Sequence, residues 1–193
     1  MKTDPIIKNI SKHITLDKKE EEYFISILRL KKLKRKEFLI SEGEIATNTN
    51  YILKGSFRNY RIDVNGVEHI AYFAIEDWWI SDIHSFLTAS PSRNFVEAVE
   101  DSEVLELTKI NLEKLYLSVP KFERFFRILR ENAFIGQYER IIQNISLTAE
   151  ERYINFRTKY PQFEQRFSQK QIASYLGLTP EFLSVMRSRL AKS

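Results

Sequence analysis

From Lys121 to Ile145 the chain reads KFERFFRILRENAFIGQYERIIQNI, and its apolar positions recur with a helical period. Phe122, Phe126, Leu129 and Ala133 follow 4-3-4 spacing, and Phe134, Tyr138, Ile141 and Ile145 repeat it one residue out of phase. That pattern predicts one long amphipathic helix. Such a stripe packs either on the core or on a second copy of itself. The second option makes Phe126, Leu129, Phe134, Tyr138, Ile141 and Ile145 a homodimer seam, with Gly136 letting two backbones approach.

Upstream the period shortens. Residues 1–30 read as a helical lead-in in which Thr15 precedes a run of acidic residues, as an N-cap would, followed by Phe24, Ile27 and Leu28. From Leu33 to about Leu117 short runs of β-branched and aromatic residues alternate with turns: FLI (38–40), YILKG (51–55), FRNYRI (57–62), VEHIAYF (67–73), NFVEAV (94–99) and EVLEL (103–107). Asn65-Gly66 marks a hairpin, since both residues tolerate positive φ. Many short strands between turns predict a sandwich or barrel of jelly-roll type.

Downstream of the long helix the punctuation is that of two short helices. Thr148 starts a helix with acidic residues in its first turn, and Pro161 closes it. Ser168 with Gln171 three residues on matches a capping box. Gly177 suits a left-handed helix end. Thr179 then caps a last helix with Pro180 at its first position and Glu181 near the positive dipole end. Ile172, Leu176, Leu178, Leu183 and Met186 fall where the two helices must pack, with the small Ala173 at their crossing. That is a helix-turn-helix, which either reads DNA or is a structural helix pair. In the DNA-reading case Thr179, Pro180, Glu181, Ser184, Val185 and Ser188 form the exposed reading face. Glu181 suits a cytosine amino group, Ser184 several base edges and Val185 a thymine methyl. Gln169, Lys170, Arg187 and Arg189 suit phosphates, with Lys192 beyond them on the same helix.

Charge sharpens that choice. Residues 1–117 hold 17 Lys/Arg against 19 Asp/Glu, whereas residues 118–193 hold 13 against 7. A basic C-terminal stretch on a near-neutral chain points to a polyanion there, or to a solvated basic surface. The chain has no cysteine, which excludes disulfides, thiolate metal sites and cysteine-held iron–sulfur clusters. No apolar run reaches the ~20 residues of a membrane helix, and the N-terminus lacks a signal-peptide core. The expected location is cytoplasmic, with no membrane partner. His13, His69 and His84 are not at metal-ligand spacing, so neither a jelly-roll metalloenzyme nor any catalytic residue is expected.

Taken together, an α+β chain with an N-terminal β jelly roll (double-stranded β-helix), a long dimerisation helix and a C-terminal helix-turn-helix resembles the CRP/FNR family of bacterial transcriptional regulators. The stretches SEGEIATNTNYILKGSFRNYRIDVNGVEHIAYF (41–73) and VEAVEDSEVLELTKINLEKLYLSVPKF (96–122) carry the likeness, which covers nearly the whole chain. It implies an effector domain over 1–117, a dimerisation helix over 118–147 and a DNA-binding domain over 148–193. It implies double-stranded DNA and a second copy as partners, with an unknown small molecule as effector.

Two departures qualify the resemblance. The family's cyclic-nucleotide binders carry Gly-Glu-Leu and then Arg-Ser/Thr-Ala, the glutamate for ribose and the arginine for phosphate. Here Ile80-Ser81-Asp82 and Ser92-Arg93-Asn94 stand in those places, with Arg93 one residue out of register. By that alignment Ser81, Asp82, Ser92 and Arg93 are the ligand candidates, with Trp78, Trp79, Phe86 and Phe95 filling or lining the pocket. Cyclic nucleotide is not expected as a cofactor. In addition, Val185 stands where the family commonly has a base-reading arginine, and the sequence ends at Ser193 where the family continues into a wing. Looser DNA recognition is therefore expected, and a sensor that dimerises and binds a protein without reading DNA is the alternative.

Overall fold

The computed structural model describes residues 3–190, so Lys192 lies outside the described residues. Helices α1 (Asp4–Ser11) and α2 (Lys18–Ser26) lead. Asp17, rather than Thr15, caps α2: its carboxylate accepts the Glu20 N–H at 2.9 Å while Glu20 accepts the Asp17 N–H at 2.8 Å. The strands are β1 (Arg29–Leu33), β2 (Phe38–Ile40), β3 (Asn48–Lys54), β4 (Phe57–Ile62), β5 (Glu68–Ala74), β6 (Trp79–Ile80), β7 (Phe95–Ala98) and β8 (Ser102–Thr108), with helix α3 (Ile83–Thr88) between β6 and β7. Helices α4 (Lys109–Ser118), α5 (Lys121–Ser146), α6 (Ala149–Lys159), α7 (Phe163–Arg166), α8 (Gln169–Leu176) and α9 (Pro180–Leu190) follow.

The strands form two four-stranded sheets in the orders β1-β8-β3-β6 and β2-β7-β4-β5. This interleaved order is the jelly roll that the strand pattern predicts. Strand β1 escaped that pattern because RLKKL is largely polar. It is an edge strand held through antiparallel pairing to β8, where Lys32 meets Glu103 at 3.3 Å and Lys31 meets Glu106 at 3.5 Å. The expected strand region also ends early. The Thr108 hydroxyl accepts the Asn111 N–H at 3.1 Å and starts α4, which buries Leu112 and Leu115.

The Asn65-Gly66 turn is closed differently from a two-residue loop. Only Gly66 takes positive φ, at 79°. The Asp63 carboxylate accepts the N–H groups of Asn65 and Val67 at 2.8 and 3.0 Å, and the Asp63 N–H donates to the Val67 carbonyl at 3.0 Å. Asparagine at 65 therefore needs no left-handed backbone, because an aspartate side chain supplies the turn's hydrogen bonds.

The chain resolves into two compact units. The first runs to Asn59 and resumes over Phe73–Asn132. Its core contains Ile6, Phe24, Tyr51, Phe57, Val104, Leu105, Phe122 and Phe125, with Phe24 and Phe122 stacked at 4.7 Å between ring centroids. The second comprises Tyr60–Tyr72 and the chain from Ala133 onward. Tyr153, Phe156, Phe163 and Phe167 form its core with the buried apolar residues of α8 and α9. Helix α5 thus begins in one unit and ends in the other.

Candidate functional site

The C-terminal helix pair forms from local chemistry. Ser168 and Gln171 close the expected capping box, the hydroxyl accepting the Gln171 N–H at 3.3 Å and the Gln171 amide oxygen accepting the Ser168 N–H at 2.8 Å. Gly177 ends α8 at φ 69°, and the Leu178 N–H returns to the Ala173 carbonyl at 2.9 Å. The Thr179 hydroxyl then accepts the Phe182 N–H at 3.2 Å and caps α9. Ile172, Ala173, Leu176, Leu183 and Met186 are buried where the two helices meet, while Leu178 is half-buried at the turn. The predicted helix-turn-helix packing is therefore present residue by residue, apart from that partial exposure.

The expected reading face is open. Thr179, Glu181, Ser184, Val185 and Ser188 are exposed and Pro180 is half-buried. Among the phosphate candidates Lys170 is exposed, whereas Gln169 is half-buried. Arg187 is half-buried and lies 3.9 Å from Glu164, and Arg189 pairs with Glu150. Neither pair is buried, and surface ion pairs are worth only about 0–1 kcal/mol, so a phosphate competes for either guanidinium. Beneath them the Tyr153 hydroxyl donates to Glu164, and burial together with that bond pushes its pKa up to about 12, so the phenol stays protonated. Phe182, which the sequence pattern places on neither face of α9, stands exposed beside Val185. Its position next to Leu183 hid it, since the core stripe claims that part of the helix.

The second half of α5 has two different sides. On one, Arg140 is taken into its own unit. Its guanidinium donates to the carbonyls of Ala71, Ile70 (3.2 Å) and Tyr175 (2.8 Å), and lies 4.1 Å from the centroid of the Tyr175 ring. Burial pulls its pKa below the usual arginine value, and the three carbonyls satisfy the cation. Beside it the Ser174 hydroxyl donates to the Glu68 carbonyl at 2.6 Å and accepts the Ile70 N–H at 3.0 Å. The edge of β5 is thereby fastened to α5 and α8. On the other side Phe134, Tyr138, Ile141 and Ile145 are exposed, at 72, 57, 55 and 78%, with Ile135 and Ile142 flanking them. Leu129 is half-buried. Phe126 is not part of this face. It is 5% exposed, with its ring edge-on to Trp79 at 5.1 Å and to Phe125 at 5.1 Å. The first turns of α5 close the roll, so its stripe is consumed there. Gly136 lies on the far side of the helix from the exposed stripe, and a Cβ built on it meets nothing within 4 Å.

The roll contains a cavity of about 250 Å³ lined by residues that include Ile40, Glu44, Asn48, Asn50, Ser81, Asp82 and Val96. Of the ligand candidates it takes Ser81 and Asp82 only. Asp82 is 4% exposed and occupied internally: its carboxylate accepts the His84 and Ser85 N–H groups at 3.1 and 3.3 Å, capping α3, and the Ser92 hydroxyl at 2.5 Å. Ser92 is accordingly a buried partner of Asp82, and Arg93 is exposed and lines no part of the cavity. Trp79 belongs to the aromatic core, its indole N–H donating to Asn9 at 3.3 Å, and Trp78 is 37% exposed away from the lining. Phe86 is buried in the core, and Phe95 packs on Phe38 at 5.8 Å. The charged lining residues are Glu44 and Asp82, both acidic. His69, the second residue of β5, lies 2.8 Å from Asp63 of the hairpin turn.

Residues 30–118 match the family model of the cyclic nucleotide-binding domain. The chain is 28% identical to the fumarate and nitrate reduction regulatory protein of Vibrio cholerae, over 93% of this chain and 76% of that one. It is 26% identical to electron transport regulator A of Shewanella oneidensis, with the same coverage of 93% and 76%. Among solved structures, FixK2 from Bradyrhizobium japonicum shares the fold at a TM-score of 0.74 and 20% identity, over 86% of this chain and 85% of that one. The c-di-GMP responsive global regulator CLP of Xanthomonas campestris does so at 0.73 and 12% identity, over 91% and 92%.

Proposed function

We propose that this chain is a transcriptional regulator of the CRP/FNR family that binds double-stranded DNA as a homodimer, with α9 in the major groove and the exposed side of α5 as the seam. The observation that carries this reading is the pairing of an open polar face on α9 with a buried, correctly capped α8–α9 contact. A merely structural helix pair has no need to leave Glu181, Ser184 and Ser188 in solvent over a basic stretch. The role is regulatory rather than catalytic, as it is for the curated relatives, and the place of work is the cytoplasm, where that DNA lies. No described helix is long and apolar enough to cross a membrane.

Selection of bound fragments from random duplex DNA tests the reading. Two-fold sites are expected, with half-sites about one helical turn apart, roughly 34–36 Å. Replacing Arg187 and Arg189 with alanine should weaken binding to all sequences alike. It should also flatten the dependence of log affinity on log salt by about 0.9 for each phosphate that is no longer neutralised. An unchanged salt slope would remove these arginines from the interface, and selected sites lacking an inverted repeat would defeat the dimeric reading.

The roll, in the same proposal, is not a cyclic-nucleotide receptor. A cyclic phosphate entering the cavity meets Glu44 and Asp82 without a lining cation, and like charges at close range in a poorly solvated site repel. Titration calorimetry with cyclic AMP and cyclic GMP at millimolar concentration should show no saturable heat. Micromolar affinity for either would sink this part, and Arg93→Ala would then show whether that side chain swings inward.

A further inference from the structure

The exposed face of α9 is poor in groups that read bases by paired hydrogen bonds. Through its first two turns it presents Glu181, Ser184 and, one turn further on, Ser188, while Arg187 and Arg189 near the far end lie against Glu164 and Glu150. A carboxylate and hydroxyls cannot make the two-pronged contacts by which arginine recognises guanine or an amide recognises adenine. Two apolar side chains stand in solvent on the same helix instead, Phe182 at 52% exposure and Val185 at 71%. They are three residues apart and therefore neighbours on the helix surface. Neither serves the core, which takes Leu183 and Met186 from α9.

Phe182 also lies in the first turn, its N–H held by the Thr179 hydroxyl at 3.2 Å, and the first turns of a recognition helix are those that reach base edges. A phenyl ring and an isopropyl group bring neither donor nor acceptor. In the major groove the one apolar feature that complements them is the C5-methyl group of thymine, since the other edges offer donors and acceptors alone. The net positive charge of residues 118–193 supplies the attraction that brings such a patch to the duplex.

We propose that Phe182 and Val185 form an apolar base-reading patch that selects thymine by its C5-methyl group and sets the sequence preference of this chain. The proposal rests on the DNA-binding reading above and names the chemistry by which that site discriminates.

The test uses the full chain and the duplexes it selects from random DNA. Thymine is replaced with uracil at one position at a time, which removes a methyl group and leaves every hydrogen-bonding group in place. Affinity should fall about fourfold at each contacted position, the worth of one buried methyl-sized group, and stay constant elsewhere. A Phe182→Ala, Val185→Ala variant should bind thymine and uracil duplexes equally while keeping the wild-type salt slope. Both side chains are exposed, so the fold tolerates the change. Equal wild-type affinity for thymine and uracil duplexes overturns the proposal and leaves DNA binding intact. A double variant that keeps the thymine preference overturns it as well, since another group would then read the methyl. A double variant whose change is in self-association rather than base preference assigns the patch to protein contact and overturns it too. Loss of all DNA retention by the wild-type chain would overturn this proposal and the broader reading together.

Discussion

A Tyr138→Asp, Ile141→Asp variant is expected to sediment as a monomer and to lose about 10²–10⁴-fold in affinity for a two-fold site, the avidity forfeited when two linked readers become one. Phe134, Tyr138, Ile141 and Ile145 stand 55–78% exposed along one side of a single helix, and an apolar strip of that length is costly to leave in water. Their 4-3-4 spacing is that of a seam between two helices, while the opposite side is held within its own unit by the bonds of Arg140 to three carbonyls. A carboxylate at 138 and another at 141 would meet their copies across a two-fold axis, unpaired and desolvated. Helicity should persist, because both positions are exposed in the single chain. A Tyr138→Phe, Ile141→Leu control should remain dimeric. If the aspartate variant keeps the mass and operator affinity of the wild type, the seam lies elsewhere on the molecule.

Gly55→Ala should destabilise the roll by about 2–6 kcal/mol. Gly55 joins β3 to β4 at φ 98°, a conformation that strains any other residue. A Cβ there falls 2.0 Å from Ser102 Oγ, 2.6 Å from its Cβ and 2.8 Å from its Cα. The last two cannot be relieved by rotating a side chain, because Ser102 is the first residue of β8 and is paired with Leu33 of β1. Urea unfolding of Gly55→Ala beside Gly43→Ala separates the two contributions. Gly43 also has positive φ, at 87°, but open space around it, so its substitution should cost only the backbone strain of about 1–3 kcal/mol. Equal midpoints for the two variants would show that β8 shifts to admit the methyl. For a protein whose total stability is on the order of 5–15 kcal/mol, the larger loss would also reduce the soluble yield.

What was legible in the residues alone was what neighbours along the chain settle between themselves. The 26-residue helix α5 announces itself by periodicity. The starts of α6 and α8 follow from Thr148 with Glu151 and Ser168 with Gln171, and the end of α8 from Gly177. A hydrogen bond from a cap reaches three residues and a helical stripe repeats every three or four, so these features need no knowledge of the fold. Helix α9 and its exposed serines followed in the same way. Strand β1 was not legible, because RLKKL becomes a strand only when β8, some 70 residues on, offers it carboxylates and a ladder.

The same distance in sequence governs the site. Nothing local distinguishes Phe126 from Phe134, yet the first is drawn into the roll by Trp79 while the second stays in solvent. Asp82 aligns with a ribose ligand but spends its carboxylate on α3 and on Ser92, ten residues away. Arg140 reads as one more surface cation until Ile70, Ala71 and Tyr175 turn their carbonyls toward it. Burial and charge satisfaction are decided by whichever groups the folded chain places within a few ångströms, and those groups come from segments that no repeat or cap connects.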